Sequence, residues 1–154
     1  LQVPRMMVTA TDVSSQSLEV AKRNIDRHGV SEQVELREGS WFEPIKGDSP
    51  DGGFDLIASN PPYIADATWD SLDRNVREFE PSLALRGGPD GLDCIRSILD
   101  EVEPFLAPSG MLVLEFGDDH AEEVLGLGEK IGPARIQRDA FGDDRVLVID
   151  RAAS

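Results

Sequence analysis

The chain has 154 residues, a one-domain length that can bury a real core, and its 40% apolar and 29% charged residues are those of a soluble globular protein. No apolar run approaches the roughly 20 residues that cross a bilayer. Leu1 to Met7 lacks the order of a secretory signal, and the single Cys94 excludes an intramolecular disulfide or a Cys-based metal cluster, so cytoplasm is the expected compartment, with no membrane partner and no metal. A net charge of −15 repels phosphate backbones, which disfavours stable nucleic-acid binding.

Short β-rich runs alternate with helical stretches, which predicts an α/β protein with a mostly parallel sheet covered on both faces. Met7 to Thr11 reads as a strand ending on Asp12. Ser14 can cap a helix over Ser15–His28, with Leu18, Ala21 and Ile25 on one face and Gly29 as its stop. Val34–Arg37 reads as a second strand, leading into Gly39-Ser40-Trp41-Phe42-Glu43-Pro44. After a turn at Gly47–Gly53, Phe54–Ser59 forms a strand that runs directly into Asn60-Pro61-Pro62-Tyr63.

Residues 64–90 read as an irregular polar loop, and a loop of that length is more often functional than idle. A helix from about Leu92 carries Ile95, Ile98, Leu99, Val102 and Leu106 at helical spacing and stops near Pro108-Ser109-Gly110. Met111–Phe116 reads as a strand buried on both faces. A helix follows over about Ala121–Ile131, then strands over about Ala134–Asp139 and Arg145–Asp150. Two consecutive terminal strands break the β–α rhythm, so one of them is expected to be antiparallel. No repeat, linker or second domain is visible.

Three strand ends carry the candidate chemistry, because ligands of open α/β sheets sit outside the carboxyl ends of the strands. Pro61 and Pro62 fix φ, lack backbone donors and offer only carbonyls. Asn60 adds a side-chain carbonyl and Tyr63 an aromatic face. The result is a rigid set of acceptors beside a flat surface, suited to a planar group bearing NH2; the alternative is an ordinary proline-rich turn. A carboxylate at Asp12 can accept from ribose hydroxyls or simply cap the next helix. Stacking of Trp41 and Phe42 on adenine competes with a plain core role for both rings. Taken together, Asp12, Trp41 and Asn60 are expected to line one crevice that holds a nucleoside. His28, His120 and Cys94 read as a helix-end, a solvent-facing and a core residue respectively.

The segments Val8–Ser14, Gly39–Pro44, Phe54–Ile64, Phe79–Asp93, Leu112–Gly117 and Gly142–Val146 resemble the HemK-type protein-(glutamine-N5) methyltransferases over nearly the whole chain. The diagnostic parts are Ser59-Asn60-Pro61-Pro62-Tyr63-Ile64 and Phe79-Glu80-Pro81 with Gly87-Gly88-Pro89-Asp90-Gly91-Leu92-Asp93. The tetrapeptide alone is shared with DNA and RNA amino-methyltransferases; the second stretch points to HemK. The resemblance implies a Rossmann-like class I fold, S-adenosyl-L-methionine as cofactor, and a peptide chain release factor as substrate, methylated on the glutamine of its Gly-Gly-Gln motif. It implies that Asp12 holds the cofactor ribose and that Ser40, Trp41 and Phe42 line the adenine side. Asn60 would touch both cofactor and substrate. Asn60 and the Pro61 carbonyl would receive the two N–H groups of the target amide, with Tyr63 packed on its plane. Glu80 and Glu115 are candidates for supporting roles.

Two departures from the family pattern stand out. Ser40 occupies a place where the family usually has Asp, and the glycine-rich cofactor loop is missing. Leu1-Gln2-Val3-Pro4-Arg5 resembles the end of the helix that follows that loop. The whole chain, 1–154, is therefore expected to be a methyltransferase catalytic domain from which a central strand and an upstream helical substrate domain are absent. Two other readings stay open: a nucleic-acid amino-methyltransferase such as an N6-adenine enzyme, and a non-catalytic fragment that cannot hold cofactor.

Overall fold

Strands β1 (Val8–Asp12) and β2 (Val34–Glu38) pair in parallel from Val8 opposite Val34 to Asp12 opposite Glu38. The computed structural model describes residues 6–153, so the helix end expected at Leu1–Arg5 lies outside the described residues. Helix α1 (Ser15–His28) makes the crossover between these strands. Ser14 Oγ accepts from the Ser17 amide at 3.1 Å, and Gly29 closes the helix in the left-handed region (φ 67°). These elements form one compact unit, Leu1–Ser49. Its buried apolar side chains, among the described residues, are Phe42 and Ile45, while α1 has no fully buried residue.

The second unit, Pro50–Ser154, holds a four-stranded sheet in the order β3-β4-β6-β5. Strands β3 (Phe54–Ser59) and β4 (Leu106–Glu115) run parallel, and β6 (Asp144–Asp150) is antiparallel to both β4 and β5 (Ala134–Arg138). The expected single reversal in a mostly parallel sheet is thus at β6. Leu112, Leu114 and Phe116 alternate into a core closed by Ile95 and Ile98 of α3 (Asp93–Glu101), Val124 of α4 (Ala121–Gly128) and Leu147 and Ile149 of β6. The outer edges of β1 and β3 carry no paired strand among the described residues.

Four elements differ from the sequence-based expectation. The polar stretch 64–90 contains a short helix, α2 (Arg74–Phe79), capped by Asp73 and braced by an Arg74–Glu78 pair at 2.7 Å. Helix α3 stops at Glu101, short of Leu106, because Pro104 has no N–H to continue it and the chain tightens into a 3-10 turn over Glu103–Phe105. Pro108-Ser109-Gly110 is then part of β4. Phe54 pairs with Leu106 but Leu56 pairs with Met111, so the extra residues bulge out of the ladder. Helix α4 ends at Gly128, before the expected Ile131, where a glycine is packed against Leu147.

Candidate active site

The first unit places Asp12, Ser40, Trp41 and Phe42 at the carboxyl ends of its two strands. Asp12 is exposed, and its Oδ1 accepts from the Ser14 amide at 2.7 Å, so one carboxylate oxygen is engaged in the turn before α1, whose cap is Ser14. The Gly39 amide donates to the Asp12 carbonyl at 3.0 Å, which ties the two strand ends together. Trp41 is half-buried and sits at φ 45°, the one described non-glycine residue at positive φ. For a bulky side chain that conformation costs about 1–3 kcal/mol and has to be imposed by its surroundings. The Thr11 hydroxyl imposes it, donating to the Trp41 carbonyl at 3.0 Å. Arg37 braces the far end of the segment through the Pro44 carbonyl at 3.2 Å and an Asp48 pair at 2.6 Å. Phe42 is buried, at 6% exposure, in the core of the unit, whereas Ser40 is half-buried.

The second unit builds the Asn60-Pro61-Pro62-Tyr63 loop directly onto β3. Asn60 is exposed, Pro61 buried, and Pro62 and Tyr63 half-buried. These four residues line a cleft of about 130 Å3 with Ile64, Ala84 and Leu85. Sites for whole small molecules run to about 300–1,000 Å3, so this cleft suits a side-chain-sized group. A larger hollow of about 670 Å3 lies over the acidic turn Asp118–Glu123. Its lining comes from one contiguous run of chain and converges on nothing, so the smaller cleft is the better candidate despite its size.

The loop is clamped by the glycine-rich turn that follows the polar stretch. Ile64 donates to the Leu85 carbonyl and accepts from Gly87, each at 2.9 Å, and Asp66 donates to the Gly88 carbonyl at 2.9 Å. Two glycines are required for this approach. A Cβ at Gly87 would lie 2.8 Å from the Pro62 carbonyl oxygen, and one at Gly91 would lie 2.5 Å from that of Tyr63. The turn is fixed to α3 by Asp90, which accepts from the Leu92 amide at 3.1 Å and from Arg96 at 2.8 Å. Arg96 also reaches Glu123 of α4 at 2.6 Å. The Arg96 guanidinium, helped by the Leu92 amide, holds the Asp90 carboxyl down at about 2.

Tyr63 completes the cleft. Its hydroxyl donates to Glu115 Oε1 at 3.3 Å. Burial, reinforced by the nearby Glu115 charge, pushes the phenol above its ordinary value, so it remains a protonated donor. Glu80, the other carboxylate with a candidate supporting role, is exposed, and its backbone amide closes α2 on Val76. His28 is exposed in the last turn of α1, and His120 is half-buried in the Asp118–His120 turn. Cys94 is half-buried rather than fully packed away, and burial raises its thiol. Sequence reasoning missed Thr11 and the Asp90–Arg96 pair. An Asp two residues before the N-cap of a helix was the available signal for Asp90; nothing local marks Thr11.

Residues 1–78 match the methyltransferase small domain family. The chain belongs to that family. It is 43% identical to the release factor glutamine methyltransferase of Geobacter sulfurreducens over 148 residues, 95% of this chain and 50% of that protein. It is also 43% identical to the ribosomal protein uL3 glutamine methyltransferase of Bordetella pertussis over 124 residues, 79% of this chain and 40% of that one. The chain thus spans about half the length of the curated relatives it matches. Among solved structures, the N-terminal domain of human METTL16 in complex with SAH aligns with a TM-score of 0.62 at 13% identity, covering 94% of this chain and 52% of that one. That likeness shows the Rossmann-like class I methyltransferase fold. Among the described residues no helix is long and apolar enough to cross a membrane.

Proposed function

We propose that the full-length protein transfers a methyl group from S-adenosyl-L-methionine to the side-chain amide nitrogen of a protein glutamine, that of the Gly-Gly-Gln motif in a peptide chain release factor. The observation that carries this reading is the clamped Asn60–Tyr63 cleft, which offers acceptors and an aromatic face at side-chain scale. The similarity to two glutamine methyltransferases supports glutamine as the acceptor, and membership of the methyltransferase small domain family supports the cofactor.

The described residues fit the nucleoside part of that cofactor. Asp12 offers an exposed carboxylate at a strand end, the chemistry that suits a ribose diol, and Trp41, with Ser40 and Phe42 beside it, offers an aromatic surface held in an imposed conformation. When bound, the cofactor supplies an electrophilic methyl on a sulfonium. An amide nitrogen is a poor nucleophile because its lone pair is delocalised into the carbonyl. Asn60 and the Pro61 carbonyl would accept its two N–H groups, which favours charge on nitrogen and fixes its direction of attack. Tyr63 would pack against the amide plane. Catalysis by this chain is then positioning and electrostatic stabilisation. The methylated amide is acidic enough to lose its proton to water, so no side chain has to act as a base.

The test is transfer of tritiated methyl by the full-length protein to three separate acceptors: a release factor, ribosomal protein uL3 and unmethylated DNA. Label on the release factor, mapped to its Gly-Gly-Gln glutamine, is the expected result. Label on uL3 alone would keep the glutamine chemistry and move the substrate. Label on DNA alone would replace the reading with a nucleic-acid amino-methyltransferase.

A further inference from the structure

Glu115 is the last residue of β4, and both of its chain neighbours, Leu114 and Phe116, are fully buried. Its backbone position is therefore set by the core, and its side chain leaves the opposite face. Among the described residues its carboxylate forms no ion pair, and its one hydrogen bond is from the Tyr63 hydroxyl at 3.3 Å. Arg145, the nearby cation, is committed elsewhere, donating to the Phe116 carbonyl at 3.3 Å and pairing with Asp139 at 3.7 Å. With no ion pair among the described residues, the contact that this carboxylate makes is the one to the Tyr63 hydroxyl.

Tyr63 is held at three points. Its carbonyl abuts Gly91, and its ring edge faces Gly117, where a Cβ would lie 3.4 Å from Cδ2. The third point is the phenol oxygen, at the far end of the ring. Backbone anchors fix where the side chain starts, but χ1 and χ2 still decide where the ring plane lies. The para oxygen lies on the χ2 axis, so its bond to Glu115 fixes the direction of the ring's long axis, set by χ1, while the Gly117 contact at the ring edge limits the rotation of the plane.

We propose that Glu115 is a positioning residue for methyl transfer, holding the Tyr63 ring axis in the direction that lays the ring against the target amide. This rests on the reading of the Asn60–Tyr63 cleft given above. Glu115 touches neither substrate nor cofactor in this scheme; it acts through the Tyr63 hydroxyl alone.

A double-mutant cycle in the full-length protein tests it, with kcat and both KM values measured on a release factor carrying an unmethylated Gly-Gly-Gln motif. Glu115→Ala should lower kcat about 10-fold while the KM for S-adenosyl-L-methionine moves less than about 2-fold. Glu115→Gln keeps an acceptor oxygen and should stay within about 3-fold of the wild type. In a Tyr63→Phe background, Glu115→Ala should cost less than about 2-fold more, because the bond it removes is already gone. If Glu115→Ala fails to fold, the same cycle is run with Glu115→Gln and Tyr63→Phe, whose losses should again not multiply. Losses that multiply, or a Gln variant as impaired as Ala, would overturn the proposal while the functional reading survives. A wild-type protein that labels no glutamine overturns that reading, and the proposal with it.

Discussion

The Asn60–Tyr63 loop and the Gly39–Pro44 segment both follow a strand end, yet they are held by opposite means. The first is locked by a second loop. Three backbone hydrogen bonds from Ile64, Asp66 and Gly87 bind it, two glycines let the chains close to contact, and Pro61 is buried beneath it. The second depends on side chains at its margins, a Thr11 hydroxyl at one end and the Arg37 guanidinium at the other, around a Trp41 held at positive φ. The cores beneath them differ in the same direction. The unit under the first loop buries a continuous set of apolar side chains from α3, β4, α4 and β6, while the other buries Phe42 and Ile45. On the function proposed above, the first loop aims a poorly nucleophilic nitrogen and needs rigid geometry, since a 1 Å misplacement can cost about 100-fold in rate. A segment proposed to hold a flat nucleoside face can tolerate a looser frame.

The contrast can be broken most severely at Gly87. Gly87→Ala places a methyl 2.8 Å from the Pro62 carbonyl oxygen, and neither backbone can yield without moving the loop. Destabilisation by about 1–3 kcal/mol is expected from the overpacking, with turnover down about 100-fold. Thermal unfolding and steady-state kinetics on the same preparation would separate the two losses. A fully active variant would mean that the clamp does not set the geometry.

Thr11→Val should act on the other segment and by a smaller amount. It removes the hydroxyl that donates to the Trp41 carbonyl but keeps the side-chain shape. Cofactor affinity should fall about 5-fold, the worth of one hydrogen bond, with kcat unchanged and Thr11→Ser close to wild type. Calorimetric titration with S-adenosyl-L-methionine reads this directly. A fall in kcat instead would show that this segment also aims the reaction.

The smallest expected effect is on acid stability. The Asp90 carboxyl is lowered in the folded protein to about 2, chiefly by Arg96. A lowered pKa contributes stability that is present above the unfolded value, near 4, and is lost as pH falls through the folded one. The wild type should be more stable than Asp90→Asn above about pH 4 and converge with it toward about pH 2. Equal stability of the two proteins at neutral pH would mean that solvent screening removes the contribution.

Much of this was readable in the chain because it follows from local rules. Ser14 and Gly29 bound α1, Gly47–Gly53 turns the chain into β3, and the terminal pair of strands required one reversal, which β6 supplies. Strand ends put Asp12, Trp41 and Asn60 in view as candidates. Where the reading failed, a single residue outvoted a pattern. The apolar spacing through Val102 and Leu106 continued a helix that Pro104 ends, and Pro108 to Gly110 looked like a stop signal but forms a bulge in β4. What locks the site was not legible, because it joins positions far apart in sequence: Thr11 to Trp41, Tyr63 to Glu115, Gly87 to Pro62. No periodicity or cap marks such pairs.

The Asn60 side chain is where the proposed chemistry concentrates, so Asn60→Ala in the full-length protein is the sharpest measurement. Transfer of tritiated methyl to a release factor should fall about 100- to 1,000-fold, the cost of losing one preorganised electrostatic contact. Binding of S-adenosyl-L-methionine, titrated on the same sample, should weaken far less, by under about 5-fold. Methyl transfer at a near-normal rate by Asn60→Ala would contradict the amide-holding role of the cleft.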